Sequence, residues 1–258
     1  MKIGKKIRVS FSDNTVNVSL PESWSDLTQE ELAEIYNLKA AYLPGIPASF
    51  HVFLYLSGMR VLYESGEDFV CEVTLDDGSS RKLLVRPIDL VGVLSSLRFI
   101  YEPGDKAVRL DTLRGHAAVD AELHGVSFGD YIFIENCYQG FIASESEDAL
   151  LPIAGRLYPG LEADSLTVPE QINVLNWLVQ LKAVFSSAFP NFFRPVSNNG
   201  ECDPMSQLDI MNNEIRILTG GDVTKEHDIL ASDCWRALTE LDFKAKEAAE
   251  HRERMNRK

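Results

Sequence analysis

Cysteine is scarce in this chain, with four in 258 residues, at Cys71, Cys137, Cys202 and Cys234. None is near enough to another for a CxxC pair. The spacing therefore offers neither a disulfide framework nor a thiolate metal knuckle, and the four read as reduced thiols of a cytoplasmic protein. The 16 glycines and 11 prolines are too few for a fibrous or low-complexity chain. No long hydrophobic run is present. The most apolar stretch, 172–189, is interrupted by Asn173, Asn176, Gln180 and Lys182, which argues against a membrane span. The basic start, Met1 to Lys6, is not followed by the apolar run of a secretory signal. Cations are also short: 25 Lys and Arg stand against 39 Asp and Glu, a net charge of −14. Phosphate neutralisation needs clustered cations, so nucleic acid is not an expected partner. The five histidines, His51, His116, His124, His227 and His251, show neither i,i+3 nor i,i+4 pairing nor zinc spacing to a cysteine. No metal or cofactor is expected.

What is present is ordinary globular composition, 45% hydrophobic and 25% charged, at a length for one large or two small domains. Residues 6–20 alternate as a hairpin, with Ile7, Val9 and Phe11 on one face and Val16, Val18 and Leu20 on one face of the return strand. Ser12-Asp13-Asn14 supplies turn chemistry between them. Thr28 with Glu31 forms a capping box, and Leu27 with Leu32 a hydrophobic staple, predicting a helix that buries Leu32, Ile35, Tyr36 and Leu38. Pro44 to Pro47 breaks it before a second helix over 49–56. Residues 68–86 form a second hairpin around Asp77-Gly78. Pro87 opens a helix to about Tyr101, which 102–105 close. A short strand over 107–113 follows.

From Ser127 the pattern turns helical. Ser127 with Asp130 marks one start, with Val126 and Tyr131 as its staple. Thr167 with Glu170 marks another, for a helix to about Ala188 that is apolar on most sides and belongs at the centre of a bundle. Trp177, Leu178 and Leu181 should be buried on it. Asp203-Pro204 opens the next helix, Gly220-Gly221 closes it, and Ser232 or Asp233 caps the last. The expected class is α+β: an α+β region with two hairpins over 1–125, a helical region over 126–243 and a charged helical tail over 244–258. Residues 64–148 carry 17 acidic and 7 basic side chains, whereas 244–258 carry six Lys and Arg against three Glu.

Two motifs invite chemistry. Gly125-Val126-Ser127-Phe128-Gly129 matches the nucleophile elbow of serine hydrolases, which needs a buried strand before the serine and an acid and a histidine later in the chain. Residues 117–123 do not read as such a strand, and Ser127 is accounted for as an N-cap. Leu218-Thr219-Gly220-Gly221-Asp222-Val223-Thr224-Lys225 has the residues of a phosphate loop, but in the wrong order and after a helix. A helix end followed by an N-cap at Thr224 accounts for them. No catalytic residue is assigned. The candidates for partner binding are the aromatics Phe185, Phe189, Phe192 and Phe193 around Pro190, and the tail cations Lys244, Lys246, Arg252 and Arg254. For the aromatics, core packing is the alternative. Phe243, Leu241, Leu238 and Trp235 are spaced to pack as the end of the last buried helix.

Residues 20–28, then 126–131 with 138–141, and then 218–225 with 235–241 together resemble uncharacterised Bacteroidales proteins encoded in prophage-like gene clusters. The general plan, acidic and largely helical with a charged helical end, is similar to tailed-phage tail-assembly chaperones. The two hairpins depart from the usual all-helical chaperone. The resemblance implies a non-catalytic morphogenesis protein of the host cytoplasm whose partner is another phage morphogenesis protein. A virion structural component, such as a connector or tail-completion protein, is the alternative role, and a hydrolase using Ser127 is the third.

Overall fold

The structure is a computed structural model that describes residues 4–11, 14–41, 47–75, 78–193 and 207–256. The fold is α+β, in two compact units, Met1–Gly104 and Asp105–Lys258.

In the N-terminal unit, β1 (Lys5–Phe11) pairs antiparallel with β2 (Asn14–Leu20), Val9 opposite Val16 and Ile7 opposite Val18. Val9, Phe11, Val16, Val18 and Leu20 are buried as the alternation requires. The predicted turn at Ser12 and Asp13 lies outside the described residues. α1 (Gln29–Ala40) opens with the predicted box: Thr28 Oγ1 accepts from the Glu31 amide at 3.2 Å, and Glu31 Oε2 accepts from the Thr28 amide at 3.0 Å. Leu32, Ile35 and Tyr36 are buried and Leu38 is half-buried. The predicted break at 44–46 lies outside the described residues, and Pro47 caps α2 (Ala48–Leu56).

The second hairpin is part of a larger sheet. β3 (Arg60–Ser65), β4 (Asp68–Thr74) and β5 (Ser80–Val85) form a three-stranded antiparallel sheet in that order. β4 and β5 bury Phe69, Cys71, Val73, Leu83 and Val85 on one face. β3 escapes pattern reading because it is an exposed edge strand with a register shift between Val61 and Tyr63, so it never alternates. The helix opening at Pro87 is shorter than predicted. α3 (Pro87–Leu94) gives way to a 3₁₀ segment, Ser95–Tyr101. Gly92 and the serines that follow are weak helix formers, and Ser95 Oγ bonds back to the Gly92 carbonyl at 3.0 Å.

The segment 105–125, grouped by sequence with the α+β region, belongs to the C-terminal unit. It holds a two-strand turn, β6 (Thr112–Leu113) with β7 (His116–Ala117), joined through Arg114 and Gly115 at φ 48° and 86°. The strand expected over 107–113 is absent except for Thr112–Leu113. Its backbone instead bonds to the polar side chains of α6 (Val168–Ala188). The Val108 amide donates to Gln180 Oε1 at 3.0 Å and the Leu110 amide to Asn173 Oδ1 at 3.1 Å. Asn173 also donates to the Tyr158 hydroxyl, which donates to the Leu110 carbonyl. Two of the polar interruptions of the most apolar stretch, Asn173 and Gln180, thus serve as hydrogen-bond partners for an extended segment.

α4 (Phe128–Ser144), α5 (Leu150–Leu157), α6, α7 (Gln207–Thr219), α8 (Glu226–Ala231) and α9 (Cys234–Asn256) complete this unit. α5, with its Leu150, Ile153, Ala154 and Leu157 stripe, goes beyond the elements predicted from sequence; Pro152 obscures it. α6 is central as predicted, with Trp177 fully buried and Leu178 and Leu181 nearly so. The predicted opening of α7 at Asp203-Pro204 lies outside the described residues. Cys71, Cys137 and Cys234 are free thiols, and burial pushes the Cys71 thiol up to about 11.

Candidate functional site

The Gly125–Gly129 motif is built as a junction. The Gly125 backbone, at φ 74°, donates to Asp233 Oδ2 at 2.8 Å. The Val126 carbonyl accepts from the Cys234 amide at 2.9 Å, and the Phe128 amide donates to the Ser232 carbonyl at 2.8 Å. Ser127 Oγ accepts from the Asp130 amide at 3.0 Å and donates to Asp130 Oδ2 at 2.7 Å. Its φ of −68° and ψ of 148° are ordinary N-cap values. A Cβ at Gly129 would meet the Leu230 carbonyl at 3.2 Å, so the second glycine serves a close approach of α4 to α8. His124 stacks on Trp235 with centroids 4.5 Å apart, and its Nε2 lies 3.7 Å from Glu122. The motif thus joins the start of α4 to α8 and to the start of α9.

The second motif is a helix end. Gly220 and Gly221 have φ of 65° and 85°, and the Gly221 amide closes on the Arg216 carbonyl at 3.1 Å. The cap that follows is Asp222, whose carboxylate accepts from the Thr224 amide at 3.1 Å. Thr224, expected as the cap, lies inside the 3₁₀ turn, and its hydroxyl donates to the same Asp222 carboxylate at 2.6 Å. At the last helix, Asp233 is the cap: its Oδ1 accepts from the Arg236 amide at 3.1 Å, while Ser232 Oγ bonds back to Ile229.

The aromatic candidates are core. Phe185 and Phe189 are buried, Phe192 and Phe193 are half-buried against the same cluster, and Phe185 and Phe189 meet Trp235 at centroid distances of 5.6 and 5.1 Å. Asp242 anchors the turn beyond them, accepting from the Asn191 amide at 2.6 Å and the Phe192 amide at 3.0 Å. Phe185 and Phe189 therefore offer no surface to a partner.

The tail cations stand on the outer half of α9, which runs unbroken from the core to Asn256; residues 257 and 258 lie outside the described residues. Lys244 Nζ donates to the Ile217 carbonyl at 2.8 Å, at the end of α7. Arg252 bonds to the Ala248 carbonyl, Arg254 lies 3.7 Å from Glu250, and Lys246 is exposed. Cys234, Ala237, Leu238 and Leu241 face the core, but Phe243, expected to continue that stripe, is 59% exposed. It falls nearly half a turn from the face that buries Leu238 and Leu241.

Phe243 instead rims a groove of about 380 Å³, whose apolar wall includes Leu218, Ile229 and Ala237 and whose rim includes Arg236 and Glu240. This groove between α7, α8 and α9 is the candidate site. Sequence reading misses it because its walls come from three helices and no motif spans them. The i,i+7 spacing of Arg236 and Phe243 is its one legible trace.

Deeper in the unit, Lys182 Nζ donates to both oxygens of Glu135 at 2.7 Å. Burial, with Glu135 nearby, pushes the Glu214 carboxyl up to about 7. Burial raises Tyr131 as well, with Glu135 and Glu214 adding to it. Among the described residues, no group of three or more His, Cys, Asp or Glu could hold a metal ion, and no helix is long and apolar enough to cross a membrane. No family model, curated protein or solved structure matches this chain.

Proposed function

We propose that this chain is a non-catalytic morphogenesis protein of a phage or prophage, acting in the host cytoplasm as an assembly chaperone through contact with another morphogenesis protein. The observation that carries the contact-based reading is the exposed outer half of α9, where Lys246, Arg252 and Arg254 stand in solvent beyond the core. The phage assignment rests on the resemblance of the three sequence segments. The bonding of Ser127 as an N-cap supports a non-catalytic reading, since its Oγ is already committed to Asp130. A net charge of −14 suits a protein that must stay dispersed while holding an aggregation-prone partner.

The test is deletion of the gene from the native element, followed by particle counts and mass spectrometry of purified particles. A chaperone is required for particle formation and absent from the particle. Presence in the particle in fixed stoichiometry makes the chain a structural component instead. Unchanged particle yield on deletion rejects a morphogenesis role. Stoichiometric labelling by a fluorophosphonate probe, lost in Ser127→Ala, rejects the non-catalytic reading.

A further inference from the structure

The exposed side of α9 carries a pattern that is complementary in charge to its own reversal. Arg236, Phe243 and Glu250 are spaced at seven residues, two helical turns each, and so lie on one stripe. Phe243 is 59% exposed at its centre. Among the described residues the Arg236 side chain has no hydrogen-bond or ion-pair partner; only its backbone amide is engaged, by Asp233. Among the described residues Glu250 meets only Arg254, at 3.7 Å, with both side chains at least half exposed.

Beside this stripe lies the groove of about 380 Å³ walled by Leu218, Ile229 and Ala237. A projecting aromatic ring and an apolar recess therefore share one patch. That is the requirement for a twofold contact, in which the same patch supplies the projection to its partner and the recess for it.

We infer that the groove between α7, α8 and α9 is occupied by Phe243 of a second copy of this chain, in an antiparallel α9–α9 dimer whose twofold axis passes at Phe243. That axis sets Arg236 of one copy opposite Glu250 of the other, twice, and so gives the unpartnered guanidinium a carboxylate. Parallel pairing would put Arg236 against Arg236 and Glu250 against Glu250, so the charges select the antiparallel arrangement. Glu240 and Glu247, on the flank of the stripe, add repulsion that the buried rings must offset. The inference concerns self-association and does not depend on the morphogenesis role or on any other partner.

The experiment is sedimentation equilibrium of the full chain over a concentration series, at moderate salt to screen the repulsion between two acidic copies. The wild type should approach twice 28.9 kDa. Phe243→Glu should remain at the monomer mass while keeping its circular dichroism spectrum, since the side chain it replaces is exposed. Arg236→Glu should raise the dissociation constant about tenfold or more by turning two opposite-charge pairs into like-charge pairs. Arg236→Glu with Glu250→Arg should return it to near the wild-type value. A wild type that stays monomeric throughout overturns the inference and leaves the groove to a different protein. A dimer indifferent to Phe243→Glu places the contact on another face. A double variant as weak as the single one rejects the antiparallel register.

Discussion

Ser127 and Glu214 show what single side chains contribute. Ser127 satisfies one free amide at the start of α4 and donates to the Asp130 carboxylate, so Ser127→Ala should cost about 1 kcal/mol and Ser127→Thr little, because threonine keeps a hydroxyl that can do both. Denaturant midpoints of the two variants check this. Equal losses would mean that the hydroxyl is not what this position contributes. Glu214 is a carboxyl whose folded pKa, about 7, lies above its ordinary 4.5. Ionisation is therefore easier in the unfolded chain. The fold is penalised progressively as pH rises from about 4.5 through about 7, and fully above that. Glu214→Gln should remove the penalty: its stability relative to wild type should grow from near zero at pH 4 to on the order of 1–2 kcal/mol at pH 8. Charge repulsion across the whole acidic chain is common to both proteins and cancels in that difference. A difference that stays flat across this range would mean that Glu214 ionises as freely as in water. Neither the raised pKa nor the Glu135–Lys182 pair was legible in the sequence, since α4, α6 and α7 must fold together before these charges meet. The cap was legible, because Ser127 and Asp130 meet within one turn.

At the scale of elements, the same division holds. Capping boxes at Thr28 and Thr167 and alternation in β1, β2, β4 and β5 are local signals, and the elements appear where those signals stand. β3 and the extended segment 107–113 are defined by their neighbours, and local pattern misplaces them. The role of α6 shows both sides. Its apolar run predicted a central helix, and Trp177 is fully buried there, its indole donating to the Ala121 carbonyl at 2.7 Å. Trp177→Ala should cost roughly 3–5 kcal/mol, read as earlier exchange of α6 amides in hydrogen-exchange experiments. Two of its polar interruptions, Asn173 and Gln180, which argued only against a membrane, hold the 108–110 backbone. Asn173→Leu should therefore destabilise despite being more apolar, because the Leu110 amide loses its acceptor and the Tyr158 hydroxyl the donor it accepts from. A variant as stable as wild type would show that water replaces the amide at no cost.

For the whole molecule, α9 decides which part of the chain is fold and which part is surface. Its first half buries Cys234, Ala237, Leu238 and Leu241, and Trp235 donates to the Glu122 carbonyl at 2.6 Å, closing the C-terminal unit on itself. This reach from the last helix back to residue 122 is why the unit boundary falls at Gly104 and not near 125, a division that depends on distant contacts and so has no local mark in the sequence. Beyond Lys244 the helix is exposed or half-buried, and its ion pair, Arg254 with Glu250, is solvent-facing and worth little. Cutting after Lys244 keeps the bond to the Ile217 carbonyl and the whole buried stripe. That truncation should leave the thermal midpoint of dilute, monomeric protein nearly unchanged. Cutting before Trp235 should expose the core and abolish protection of α6. The two cuts also separate folding from association: the first removes Glu250 but keeps Phe243, so it should weaken the α9 contact without unfolding the monomer. A large fall in the midpoint of the first truncation, measured below the dimerisation range, would mean that the outer helix stabilises the unit itself and that its charges belong to the fold.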